Sequence, residues 1–222
     1  MSTTASAFFL CLAQGTAASG TDAPPSPSLR FEQEILAFEE ADRKAPPPED
    51  AVLFTGSSSI RGWRTLAEDF PEHRVLNRGF GGSHIADCIY FADRIVLPYR
   101  PQMIVFYAGE NDMNYGRSPA EVEAAFRRFV EIVHAGLPET EIAYVSMKPS
   151  PSRRHLIDAK REGNRRIREF TEEDPRLSFI DVFEAMLDEA GEPRSELFVA
   201  DQLHMNEKGY RLWTDIIRPH MP

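Results

Sequence analysis

Ala51-Val52-Leu53-Phe54-Thr55-Gly56-Ser57-Ser58-Ser59 is the stretch that decides the fold. An apolar run that stops at a glycine and three hydroxyl residues has the pattern of a buried strand ending in a tight turn. In a parallel α/β sheet such a turn sits at the carboxyl edge of a strand, where ligands bind. A serine held there is either a nucleophile or part of a loop that cradles an anion. Near the other end of the chain, Asp201-Gln202-Leu203-His204 sets a carboxylate and an imidazole three residues apart. A serine, a histidine to take its proton and a carboxylate to orient the histidine are the components of acyl transfer.

Outward from this stretch, strand and helix patterns alternate. Residues 51–57, 74–77, 103–108, 141–147 and 177–182 read as five strands. Residues 103–108 are wholly apolar, as in the middle of a parallel sheet. Helical periodicity is read over 30–44, 63–70, 85–97, 119–135, 156–172 and 206–219. The 30–44 segment places Phe31, Ile35 and Phe38 on one face, with Leu36 and Ala41 beside them, and stops at Pro46-Pro47-Pro48. The 156–172 segment is read with a basic, exposed side. Strands alternating with helices imply a parallel sheet covered on both faces, with right-handed crossovers. Five strands in this pattern predict a flavodoxin-like α/β layer.

The bulk properties bound the partners. The chain has 222 residues, 42% hydrophobic and 27% charged, which suits a soluble globular domain. Lys+Arg 25 against Asp+Glu 35 gives a net charge of -10, so neither nucleic acid nor an anionic membrane surface is an expected partner. The two cysteines, Cys11 and Cys88, imply no disulfide framework and no zinc spacing, and Cys88 reads as a small buried hydrophobe. No cofactor or metal is expected. Ala7 to Ala13 is a short apolar core followed by small residues, like a secretory signal but without a preceding Lys or Arg. It is too short to span a bilayer as a helix. It reads as an export signal or as a cytoplasmic leader, and Ser19 to Ser28 reads as a linker. The expected division is therefore a leader and linker over 1–28 and a single domain over 29–222.

If the strands are parallel, residues far apart in sequence meet at one sheet edge. Ser57-Ser58, Gly81-Gly82 and Asn111 each follow one of the first three strands. Acyl transfer needs donors aimed at the developing oxyanion. Glycine lets a backbone N–H approach closely, and the Asn111 side-chain amide can donate as well. Ser58, Gly82 and Asn111 can supply three such donors.

These residues resemble the GDSL/SGNH hydrolases. Phe54-Thr55-Gly56-Ser57-Ser58-Ser59-Ile60 is similar to the family's first block, and Asn77-Arg78-Gly79-Phe80-Gly81-Gly82 to the second. Gly109-Glu110-Asn111-Asp112 matches the Gly-x-Asn-Asp third block, and Asp201-Gln202-Leu203-His204 the Asp-x-x-His final block. The resemblance runs from about Ala51 to the C-terminus. It implies a three-layer α/β/α sandwich and hydrolysis of a small-molecule carboxylic ester. It also implies Ser58 as nucleophile, His204 as base, Asp201 as its orienting acid, and Ser58, Gly82 and Asn111 as oxyanion donors. Ser57 stands where the family has aspartate, which leaves Ser57 and Ser59 as competing nucleophiles; Gly81 is the competing register for Gly82. Ile60 stands where a Gly-x-Ser-x-Gly elbow would need its last glycine, so the ordinary α/β-hydrolase motif is missing.

The remaining polar residues divide into simple expectations. Asp112 is read as holding its loop. Arg61 and Trp63 are candidates for the pocket mouth, Trp63 equally for helix packing. Lys148 and Arg153 either meet a polar substrate or are solvated. His73, His84, His134, His155 and His220 show no partner pattern. With no long insertion to build a lid, short acyl groups are expected, acetyl first. The alternatives are a lysophospholipase-like or thioesterase-like acylhydrolase and a flavodoxin-like binding protein whose 55–59 loop cradles phosphate. A family member without catalytic activity that binds carbohydrate is a third reading. Oligomeric state is not legible.

Overall fold

Five short strands of mostly buried residues build the centre of the molecule: β1 (Val52–Gly56), β2 (Val75–Gly79), β3 (Met103–Tyr107), β4 (Glu141–Val145) and β5 (Leu177–Ile180). The computed structural model describes residues 27–222. All neighbouring strands are parallel, in the order β2-β1-β3-β4-β5. This is the flavodoxin-like order, and its topological switch lies between β1 and β3. The leader, most of the linker and Cys11 lie outside the described residues.

The helices are α1 (Pro27–Lys44), α2 (Ser58–Arg61), α3 (Leu66–Asp69), α4 (Ile85–Tyr90), α5 (Ala92–Ile95), α6 (Glu110–Asn114), α7 (Pro119–Gly136), α8 (Ile157–Thr171) and α9 (Glu207–Ile217). Side chains alternate along each strand, so each strand feeds two cores. Leu53, Ile104, Phe106, Ile142 and Tyr144 pack with Phe31, Phe126, Phe129 and Ile167 on one face. Val52, Phe54, Val105, Tyr107 and Val145 pack with Trp63, Phe70, Trp213 and Ile217 on the other. The result is the three-layer α/β/α sandwich. No helix among the described residues is long and apolar enough to cross a membrane.

Three local expectations are corrected. The segment 63–70 is helical only over Leu66–Asp69, because Trp63 is fully buried in the preceding turn with its indole N–H donated to Asp69. Trp63 therefore packs the core and does not line a pocket mouth. The segment 85–97 is split at Phe91, whose buried ring meets Phe80 edge-on at 6.0 Å. In α1, Phe31 and Ile35 are buried as expected, but Leu36 is 48% exposed. Arg94 pairs with Glu32 and Glu39, and Arg78 with Asp42, tying α1 to the sheet layer.

Candidate active site

Three strand ends and one late loop converge at the carboxyl edge. Gly56 ends β1 with φ +126°, and a Cβ there would come 1.9 Å from the Tyr107 carbonyl oxygen of β3. Only glycine fits such a crossing. The chain then turns at once into α2: Ser57 donates its N–H to the Tyr107 carbonyl, and its own carbonyl accepts from Ile60 and Arg61. Ser57 and Ser59 are buried, while Ser58 is half-buried and reaches the surface. The turn thus projects one hydroxyl of the three.

Ser58 Oγ lies 3.0 Å from His204 Nε2. His204 Nδ1 lies 2.6 Å from Asp201 Oδ2, while Asp201 Oδ1 accepts the Leu203 and His204 N–H groups at 2.9 Å each. One carboxylate oxygen therefore shapes the loop and the other orients the ring. Gln202 sits in the left-handed region at φ 54° between them, and its carbonyl accepts from Ser152 N–H. Although desolvation pushes the Asp201 carboxyl up, the bonds from His204 and Leu203 hold it down at about 2. An ionised Asp201 favours the Nδ1–H tautomer of His204 and leaves Nε2 free to accept the serine proton.

The oxyanion candidates meet through Ser83. Its hydroxyl donates to the Gly56 carbonyl, and its carbonyl accepts from Asn111 Nδ2 at 3.0 Å. Gly82 has φ +76°. Gly81 N–H donates to Glu34 of α1 at 3.3 Å, whereas Gly82 N–H has no acceptor among the described residues. Between the two registers, Gly82 is the one with a donor to offer. Asn77 donates to the Ile60 carbonyl and accepts from Gly79 N–H, locking β2 to α2.

A cleft of about 570 Å³ opens beside Ser58, lined by Arg61, Gly62, Arg64, His204, Met205 and Tyr210. Arg61 takes its expected place there. A larger hollow of about 830 Å³ lies at the opposite, amino edge, among Pro47, Gln102 and Glu141. Among the residues that line it there is no serine and no histidine. No group of three or more metal-ligating side chains occurs among the described residues.

The sequence model of the GDSL-like lipase/acylhydrolase family matches residues 45–212. The chain belongs to that family. It is a carboxylic ester hydrolase, and this acylhydrolase shares its fold with many solved structures. A Streptococcus pneumonia protein named for platelet activating factor superposes with a TM-score of 0.76 at 20% identity, over 86% of this chain and 93% of that one. A GDSL-like lipase from Bacteroides thetaiotaomicron gives 0.72 at 20% identity, over 84% and 96%. The acetyl xylan esterase AlAXEase gives 0.63 at 18% identity, over 78% and 100%. No curated protein sequence matches the chain. Helix α1 precedes the family match, yet its Glu34 touches the glycine block.

The acylhydrolase also holds a buried ionic cluster that the sequence reading missed. Glu110 accepts from Tyr107 Oη at 2.8 Å, Lys148 Nζ at 2.5 Å, Ser150 Oγ at 2.5 Å and Lys160 Nζ at 2.8 Å. Lys148 is thus neither solvated nor at the substrate, and Lys160 interrupts the exposed basic side expected of α8: both are fully buried. Burial alone would push the Glu110 carboxyl up, but Lys148, Lys160 and Arg153 hold it well below the usual carboxylate range. Burial lowers both lysines, against the pull of Glu110. Arg153 is nearly buried and donates to Asn111 Oδ1 at 3.0 Å. The signal for this cluster was there in Glu110 within the third block, but periodicity could not say which cations reach it. Asp112 accepts from Ile85 N–H, holding its loop; burial pushes its carboxyl up, against His84 and that amide. His84 caps α4 and meets the Tyr115 ring at 5.5 Å.

Proposed function

We propose that this acylhydrolase cleaves short-chain carboxylic esters, acetyl esters first, through an acyl-enzyme on Ser58. The observation that carries the reading is the hydrogen-bonded chain from Asp201 through His204 to Ser58. His204 accepts the Ser58 proton as the hydroxyl oxygen attacks the ester carbonyl. The C–O π pair moves to the carbonyl oxygen, which meets the Ser58 and Gly82 N–H groups and the Asn111 amide. The tetrahedral adduct collapses, the C–O bond to the alcohol breaks, and His204 returns the proton to the leaving oxygen. Water then attacks the acyl-enzyme by the same route and releases the acid.

The acyl preference rests on the shape and lining of the cleft. Ser58 faces an open cleft in which two charged side chains, Arg61 and Arg64, accompany Met205 and Tyr210, a mixed lining that suits a small polar ester. The structural likeness to an acetyl xylan esterase agrees with small acyl groups, at the level of fold. Phosphate cradling gives no reason for an Asp/His pair to face the serine, so the binding-protein reading is the weaker one.

Hydrolysis of p-nitrophenyl esters from acetate to palmitate, by the wild type and Ser58→Ala, tests the reading. The expected result is the highest kcat/KM for acetate and no turnover in the variant. A rate rising steadily towards palmitate would overturn the short-chain assignment, and a fully active Ser58→Ala would overturn the acyl-enzyme.

A further inference from the structure

An asparagine amide serves an oxyanion only if its NH₂ end faces the reacting centre, and the amide can rotate by half a turn. Two contacts set the orientation of Asn111. Its Nδ2 donates to the Ser83 carbonyl at 3.0 Å, and its Oδ1 accepts from Arg153 at 3.0 Å. A guanidinium has donors and no acceptor, so it accommodates the oxygen end and rejects the NH₂ end. Of the two contacts, Arg153 is the charged one.

Arg153 is itself held from behind. It lies 3.7 Å from Glu110 Oε1, which Lys148, Lys160 and Ser150 also approach. A single protonated lysine neutralises Glu110. The positive charge of Arg153 is then uncompensated within the cluster, and the Asn111 oxygen receives it. A cation on the oxygen end of an amide polarises its N–H groups and strengthens them as donors. Arg153 lies on the irregular 151–156 turn, and the bond from Ser152 N–H to the Gln202 carbonyl joins that turn to the Asp201–His204 loop.

We propose that Arg153, backed by Glu110, is a positioning residue of the ester-cleaving site: it fixes and polarises the Asn111 amide as an oxyanion donor. The inference rests on the acyl-enzyme reading above. It assigns Arg153 to the transition state, because the amide it orients meets the carbonyl oxygen most strongly when that oxygen is charged. It also gives the buried ionic cluster a role beyond filling space.

The test is a double-mutant cycle on the full chain with p-nitrophenyl acetate, using Arg153→Met, Asn111→Ala and the pair, alongside Ser58→Ala. Near-UV circular dichroism checks that each variant is folded. Where Arg153→Met is not folded, Arg153→Gln takes its place, since it retains a donor and removes the charge. The expected result is a kcat about 10- to 100-fold lower for the Arg153 variant, with KM within about twofold, a split that marks loss of transition-state contact. In the pair, kcat is expected to be no lower than in Asn111→Ala alone, because Arg153 acts through that amide. Losses that multiply in the pair, or an Arg153 variant of wild-type kcat, would overturn the inference while leaving the esterase reading intact. A wild type without esterase activity, or an active Ser58→Ala, would instead overturn the reading on which it rests.

Discussion

His204 Nε2 stands 3.0 Å from Ser58 Oγ, although 146 positions of chain separate the two residues. The first sits in a loop stiffened by the left-handed Gln202, the second on the opening turn of α2. Neither segment could hold its partner alone. The parallel sheet delivers Ser58 to the carboxyl edge, and Asp201 fixes the late loop with one oxygen while aligning the imidazole with the other.

Removing the hydroxyl should separate the three adjacent serines. Ser58→Ala is expected to lower kcat by about 10⁴-fold or more. Ser59→Ala is expected to retain most activity and to be neutral or slightly stabilising, because the buried Ser59 hydroxyl has no hydrogen-bond partner among the described residues. Steady-state kinetics with a melting curve for each variant would check both, and an inactive but folded Ser59→Ala would contradict the assignment.

Asp201→Asn should keep the fold and lose about 10³- to 10⁴-fold in kcat, through the wrong imidazole tautomer. The pH dependence has a definite sign. The Asp201 carboxyl is held down at about 2, so it stays ionised above that pH and does not limit activity at pH 4 and higher. A pH–rate profile with an acid limb above pH 4 that disappears in Asp201→Asn would count against an ionised Asp201.

Glu110 should govern stability. Glu110→Leu leaves Lys148 and Lys160 buried without their counter-charge and is expected to cost about 3–5 kcal/mol. The carboxyl is held below its unfolded value of 4.5, so its contribution is fully present above that pH and is lost as pH falls towards the folded value. Urea titrations of the wild type should therefore show stability falling below about pH 4.5, and Glu110→Gln should flatten this dependence. A variant with the same acid dependence as the wild type would place the acid-sensitive group elsewhere.

Glu34 tests whether α1 supports the glycine block. Its carboxylate accepts from Gly81 N–H at 3.3 Å and meets Arg61 at 3.5 Å. As this contact is partly exposed, Glu34→Ala is expected to change stability by no more than about 1 kcal/mol. It should lower kcat a few-fold by loosening the turn that carries Gly82. Unchanged kinetics with an unchanged melting temperature would confine α1 to packing.

Much of this molecule was legible as pattern. The apolar runs at 51–54 and 103–108 and the alternation with helices yielded the five parallel strands, since burial on both faces leaves no other residue pattern. The four blocks located Ser58, Gly82, Asn111, Asp201 and His204, because three of them need a special residue after a strand and the fourth sets an acid and an imidazole three residues apart in a late loop. What a linear pattern could not carry were pairings across space. In sequence Lys148 reads as a substrate contact or a solvated cation and Lys160 falls on a helix read with a basic, exposed side, and only the packing of α8 and the 148–153 segment around Glu110 makes them buried partners. Trp63 looked equally suited to a pocket mouth or a core until the tertiary structure closed Phe54, Phe70 and Trp213 around it. Local chemistry therefore determined which residues can react and where each strand ends. Tertiary structure decided which of three serines meets the imidazole, which glycine N–H is left to donate and which cation orients Asn111, since each is a distance between segments that sequence leaves free.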